Sequence, residues 1–222
     1  MRTKLVDRVL PIYPRKLEAF NSISHIVVGA LALVYMIMCI IVSIIHNNAV
    51  GVLCSIIYGI GNINLYTMSA IYHGMHFGIP KKVFQILDHC SIYGMIACTY
   101  MPVIFCKIMP LDPRAGWILF ILELAIASIA TTLTAIDLKQ YKVFSMVCNI
   151  VLGWAIILFP KLIVAAVSIT GVLLLLVGGL FYTIGAILYA IGKKKPIFHG
   201  VFHIFVILGT FIQFLAIILY VL

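Results

Sequence analysis

The sequence predicts an all-α membrane protein, a bundle of seven transmembrane helices. Three observations predict it. Of its 222 residues, 64% are hydrophobic and 9% charged, with a mean hydropathy of +1.23. Soluble globular chains carry about 25% charged residues. The apolar residues fall into seven runs, each near the roughly 20 residues a helix needs to cross hydrocarbon. The charges collect in the short stretches between those runs. Seven such helices make one bundle, so residues 1–222 read as a single domain. The net charge of +9 does not point to nucleic acid, because the basic residues sit where membrane orientation is set.

Residues 1–20 form a basic, part-amphipathic cytoplasmic lead-in with Arg2, Lys4, Arg8, Arg15 and Lys16. Span one is expected over residues 24–45, with Asn21 or Ser22 as its cap. It is too long for a signal-peptide core and lacks a small-residue cleavage site. Span two, residues 50–73, is unusually polar near its end, with Asn62, Asn64, Thr67 and Ser69. Residues 78–82 are expected to form a turn. Span three covers 86–106, opened by Asp88 and kinked at Pro102, which removes a helix hydrogen bond.

Span four covers 116–136 and carries Glu123, a carboxylate within the apolar run. Span five covers 143–159 and stops at Pro160. Span six covers 165–191, and its Gly171, Gly178, Gly185 and Gly192 recur every seven residues. They share one face, which lets a neighbouring backbone come close. Span seven runs from Phe198 to Leu222. The six cysteines form no close pair in sequence and mostly lie in apolar runs, so they read as small core residues.

Orientation follows from the basic residues. Assigned alternately to the two sides, twelve of the fifteen Lys and Arg share the side of the N-terminus. This places the N-terminus in the cytoplasm and the C-terminus outside. The same alternation brings polar residues to one depth. Span two ends inside at His73, span three starts inside near Asp88, and span seven starts inside with His199 and His203. Ser69 and His199 each precede a histidine by four residues and share its helix face. Three neutral histidines with one open position suit catalytic zinc, which lowers the pKa of its water to about 7. Asp88 is placed to hold that water and act as general base. Ser69 is placed to orient a ligand or a substrate carbonyl.

Ser69-x-x-x-His73, Leu87-Asp88-His89 and His199-x-x-x-His203, in that order, resemble the haemolysin III family. Residues 21–25, 99–102 and 178–185 support the likeness, which covers almost the whole chain. That family is grouped with the progestin and adipoQ receptors and is related to alkaline ceramidases. The resemblance implies zinc held by His73, His199 and His203, with Asp88 near the metal's water. It also implies a membrane-lipid or lipid-amide substrate and a role in membrane lipid homeostasis. Gln213 departs from the pattern, since many relatives carry another histidine there. Three functions follow from the resemblance: a zinc-dependent lipid-amide hydrolase, a non-enzymatic zinc-stabilised sensor, or a pore-forming cytolysin. No span shows the continuous charged stripe a pore would favour. His25 and Glu123 stay without an assigned role.

Overall fold

The computed structural model describes residues 3–192 and 195–222. Arg2, Lys193 and Lys194 of the charge count lie outside the described residues. The chain is helical, with no strand among the described residues. In order the helices are α1 (Arg15–Ile45), α2 (Ala49–Gly74), α3 (Ile79–Val103), α4 (Pro113–Ile136), α5 (Lys142–Trp154), α6 (Pro160–Gly192) and α7 (Ile197–Ala216). Six of these are long and apolar enough to cross a membrane. The exception is α5, which with its 3₁₀ continuation reaches only Leu158. At about 1.5 Å per residue it is somewhat short for a hydrocarbon layer of about 30 Å. The outward faces are apolar: Ile23, Ile41, Ile118, Ile129, Ile169 and Ile187 are all exposed. An apolar exterior of this kind is suited to lipid, and the chain is a multi-pass membrane protein.

Proline stands at the N-cap or in the first turn of five of these helices, at Pro14, Pro80, Pro113, Pro160 and Pro196, and α1, α3 and α6 start well before the sequence reading. α1 begins at Arg15, after Pro14 in the N-cap position, so Asn21 and Ser22 are buried inside the helix rather than capping it. α3 begins at Ile79 with Pro80 in its first turn, so Lys81 and Lys82 are helical. Proline is favoured in a first helical turn, where its missing N–H costs nothing. In consequence Asp88 does not open a helix; it sits in the third turn of α3. Pro102 is accommodated inside α3, and the helix passes into a π-helical stretch, Ile104–Ile108, before ending near Leu111. α6 bends at Ser168, whose φ of 68° is non-helical and strained for a residue with a Cβ.

Tight helix pairing sets the frame. α1 packs on α2, α2 on α3 and α6 on α7. The glycine face of α6 turns onto α7 as its spacing predicts. A Cβ on Gly178 would lie 2.8 Å from Gln213 Nε2, and one on Gly192 would lie 3.0 Å from the His199 backbone nitrogen. The two ends of the bundle are chemically distinct. At one end the turn after α1 meets the C-terminus, through His46 Nδ1 and the Leu222 carbonyl at 3.0 Å. At the other, the segment before α1 crosses the mouth of the bundle. Thr3 N–H donates to Asp137 Oδ2 (2.7 Å), Lys82 Nζ to the Val6 carbonyl (2.6 Å) and Arg8 Nη2 to the Ile136 carbonyl (2.9 Å). The N-terminal segment and the C-terminus therefore lie at opposite ends.

Candidate metal centre

The end crossed by the N-terminal segment holds the histidines. His73 closes α2, while His199 and His203 lie one turn apart on α7. All three are buried. His199 Nε2 lies 3.4 Å from His73 Nε2 and 3.2 Å from His203 Nε2. One nitrogen from each of the three residues lies within 4.8 Å of the others. Zinc–imidazole bonds of about 2.0–2.1 Å at a tetrahedral angle put two ligand nitrogens about 3.4 Å apart. The observed separations match that edge, so the residues present fit a metal ion.

The hydrogen bonds behind the rings point the same way. His73 Nδ1 lies 2.5 Å from Glu18 Oε2. An ionised carboxylate only accepts, so Nδ1 carries the proton and Nε2 presents its lone pair to the cluster. His203 Nδ1 lies 2.8 Å from His25 Nε2. A lone pair on His203 Nε2 requires its Nδ1–H to donate to His25, which then carries its own proton on Nδ1. That atom is buried without a partner. Lone pairs brought together at buried positions repel one another, and a cation between them removes the conflict. Ring orientation set by outer partners is the usual arrangement around metal-binding histidines.

A cavity of about 600 Å³ opens onto this cluster, lined near it by His199, His203, His25, Asp88 and Ser69. It continues between the helices to Tyr100, Trp154 and Gln213, and its walls are mostly apolar. Ser69 Oγ is 1% exposed and has no hydrogen-bond partner. Asp88 faces the cavity but is not one of the three clustered residues. Its carboxylate lies 3.7 Å from His89 Nδ1. Its place in the third turn of α3 puts Asp88 beyond the helix start, where an acid would stabilise the helix end.

Sequence reasoning missed the part played by α1. Glu18, Ser22 and His25 recur at helical spacing on one face. Glu18 holds His73, Ser22 Oγ donates to the Ala70 carbonyl at 2.9 Å, and His25 meets His203. Lys81, 1% exposed, donates to Glu18 Oε1 at 2.8 Å and to the Met75 carbonyl at 3.0 Å. Its ammonium also lies 5.1 Å from the Tyr72 ring centre. Tyr13, just before α1, stacks on His199 with ring centres 4.6 Å apart. Burial raises the Tyr13 hydroxyl pKa well above its ordinary value, so this ring packs as a neutral phenol. The available signal was the polar set Glu18, Ser22 and His25 opening an otherwise apolar run. Glu123, by contrast, is fully buried on α4 with both carboxylate oxygens unpartnered, and does not line this cavity.

Comparison with known proteins covers nearly the whole chain. The family model described as Haemolysin-III related matches residues 14–214. The chain is 32% identical to "Hemolysin-3" of Bacillus cereus over 207 residues, 93% of each chain. It is 29% identical to "Hemolysin-3 homolog" of Bacillus subtilis (strain 168) over 205 residues, 92% of this chain and 94% of that one. It is also 26% identical to human "Monocyte to macrophage differentiation factor" over 168 residues, 72% of this chain and 67% of that one. With the match running from just before α1 to the last turns of α7, the chain belongs to the haemolysin-III related family.

Proposed function

We propose that the protein is a zinc-dependent hydrolase of lipid amides, with its N-terminus and metal centre on the cytoplasmic side. The observation that carries this reading is the junction of the histidine cluster with a largely apolar cavity of about 600 Å³. Small-molecule sites commonly have volumes of about 300–1,000 Å³, with a few placed polar groups on apolar walls. A site that used its metal only to brace helices would have no need of such a cavity.

His73, His199 and His203 would hold the zinc. When bound, zinc polarises a carbonyl and brings the pKa of water to about 7. The apolar walls take the hydrocarbon part of the substrate and exclude bulk water. Asp88 takes the proton of the attacking water and returns it to the leaving amine. A positioned general base of this kind contributes about 10²–10⁴-fold. Ser69 Oγ donates a hydrogen bond to the substrate carbonyl oxygen. Glu18 and His25 keep the rings of His73 and His203 in the tautomers that face the cavity.

The test is turnover. Purified, zinc-loaded protein in lipid nanodiscs is expected to release fatty acid from a ceramide-like amide, and the Asp88→Ala variant to release almost none. Zinc-loaded protein without turnover on a panel of lipid amides would leave the non-enzymatic sensor as the better reading.

A further inference from the structure

The cavity has a second polar region, at its mouth under the N-terminal segment. Arg8 lines it from that segment, and Lys139 and Lys142 line it from the stretch that joins α4 to α5. The bond from Arg8 Nη2 to the Ile136 carbonyl, at 2.9 Å, fixes the guanidinium beside the end of α4, just before Lys139. Its other two nitrogens, Nε and Nη1, are buried and have no hydrogen-bond partner. The segment also brings Asp7 to the cavity lining. Among the described residues, none of these four charged side chains belongs to an ion pair.

Three positive side chains beside one carboxylate leave the mouth electropositive. Arginine offers donors only, so its two free nitrogens call for acceptor oxygens. A buried donor left unmatched is costly, and more so when it is charged. A phosphate answers both needs, with negative charge and several acceptor oxygens, and its bonds to Arg and Lys are of the strong, charge-assisted kind. The wall beneath bears on what carries that phosphate. α5 presents Lys142, Ser145, Asn149, Gly153 and Trp154 to the cavity at helical spacing, so its lining passes from charged through polar to apolar with depth. A charged head at the mouth with a hydrocarbon chain below it matches that gradient.

We propose that Arg8, Lys139 and Lys142 form a binding site for a phosphate group, carried by the headgroup of an anionic lipid. The phosphate lies under the N-terminal segment and the chain runs down the α5 wall. Bound there, the phosphate joins the segment to the α4–α5 stretch and adds to the bonds that hold it across the mouth. The site uses none of the histidines, so it stands or falls apart from the hydrolase reading.

The experiment places the full chain in nanodiscs of phosphatidylcholine mixed with phosphatidate, extracts it gently, and reads the retained lipid by native mass spectrometry. Wild type should retain phosphatidate enriched over its share of the bilayer. Arg8→Gln should lose that enrichment. Arg15→Gln, which removes an exposed charge that does not line the cavity, should keep it. Lys139→Gln with Lys142→Gln changes two exposed side chains and should lose part of it in a protein that still folds. Inorganic phosphate separates the sources. An Arg8-dependent rise in melting temperature with phosphate, in phosphatidylcholine alone, would support the phosphate site and make its ligand soluble. Two results would overturn the proposal: equal loss of phosphatidate from Arg15→Gln and Arg8→Gln, or retention untouched in Arg8→Gln and in the lysine pair with no Arg8-dependent response to phosphate.

Discussion

Glu18 Oε2 lies 2.5 Å from His73 Nδ1, and its other oxygen lies 2.8 Å from Lys81 Nζ. One carboxylate from α1 thus joins a buried histidine of α2 to a buried lysine of α3. The contact sets the His73 tautomer, and it also neutralises an ammonium that has almost no access to water.

These two roles separate by mutation. Glu18→Ala should strand the Lys81 charge, and breaking a buried pair from one side costs about 3–5 kcal/mol. Glu18→Gln with Lys81→Met removes both charges together and should restore much of that stability. Metal affinity should stay reduced in both variants, by about 10–100-fold, because the partner behind His73 has changed. Thermal melts and metal titrations on the two variants check this. Full metal affinity in the double variant would mean that Glu18 serves only the lysine.

Much of the fold was legible in advance. Seven apolar runs gave the helices, and the basic residues between them gave the alternation that brought His73, His199 and His203 to one end. Helix starts were not legible, because residues 78–82 read as a turn and Pro160 as the stop of span five, when Pro80 and Pro160 each lie in the first turn of a helix. Asp88 consequently moved from a first turn to a third. The hidden part of the site was Glu18, a carboxylate within the basic lead-in to which the sequence reading gave no role. Its partner Lys81 looked like a turn residue, and nothing local to either sequence position announces a contact across three helices.

The glycine face of α6 gives a stability prediction. A leucine at Gly178 would drive its Cβ to 2.8 Å from Gln213 Nε2, which itself donates to the Leu175 carbonyl at 3.0 Å. Overpacking of this kind costs about 1–3 kcal/mol. Gly178→Leu should lower the melting temperature in detergent, whereas Gly153→Leu, where a new Cβ meets nothing within 4 Å, should lower it less. Equal effects would mean that the α6–α7 contact is not tight.

Orientation is checked by reporter fusions. The bundle puts the segment around Lys82 and Asp137 at one end and Leu222 at the other. On the alternation read from the sequence, which assigns twelve of fifteen basic residues to the first side, a fusion within the loop before α7 should report cytoplasm and a fusion after Leu222 the outside. The same answer from both would be incompatible with α7 as a full span.

The N-terminal segment is clipped by Asp137. The Thr3 N–H foremost, then those of Gln140 and Lys139, hold this carboxylate well below the ordinary range. A depressed folded pKa means the clip contributes at neutral pH and is lost as pH falls below the unfolded carboxylate value of about 3.9 toward the folded one. Asp137→Ala should free the segment at neutral pH. Trypsin should then cut after Arg8 faster than in wild type, and Asp137→Asn, which keeps an acceptor oxygen, should fall between. Cleavage rates independent of residue 137 would show that Arg8 and Lys82 hold the segment unaided.

The last prediction separates holding a metal from acting beside it. His203 contributes one of three clustered nitrogens, and its removal leaves two, 3.4 Å apart, with a gap where the third stood. Two imidazoles bind far more weakly than three, so His203→Ala should purify with little zinc. Asp88 lies on the cavity wall outside the cluster, so Asp88→Ala should keep most of its zinc. His25→Ala falls between: it removes the group behind His203 but none of the three, and should weaken zinc by about 10–100-fold. Metal analysis of wild type and the three variants, purified in parallel, gives the order directly. Zinc in His203→Ala equal to wild type would rule out the three-histidine centre. Zinc lost equally from Asp88→Ala and His203→Ala would make the aspartate a fourth ligand, closing the position a substrate needs.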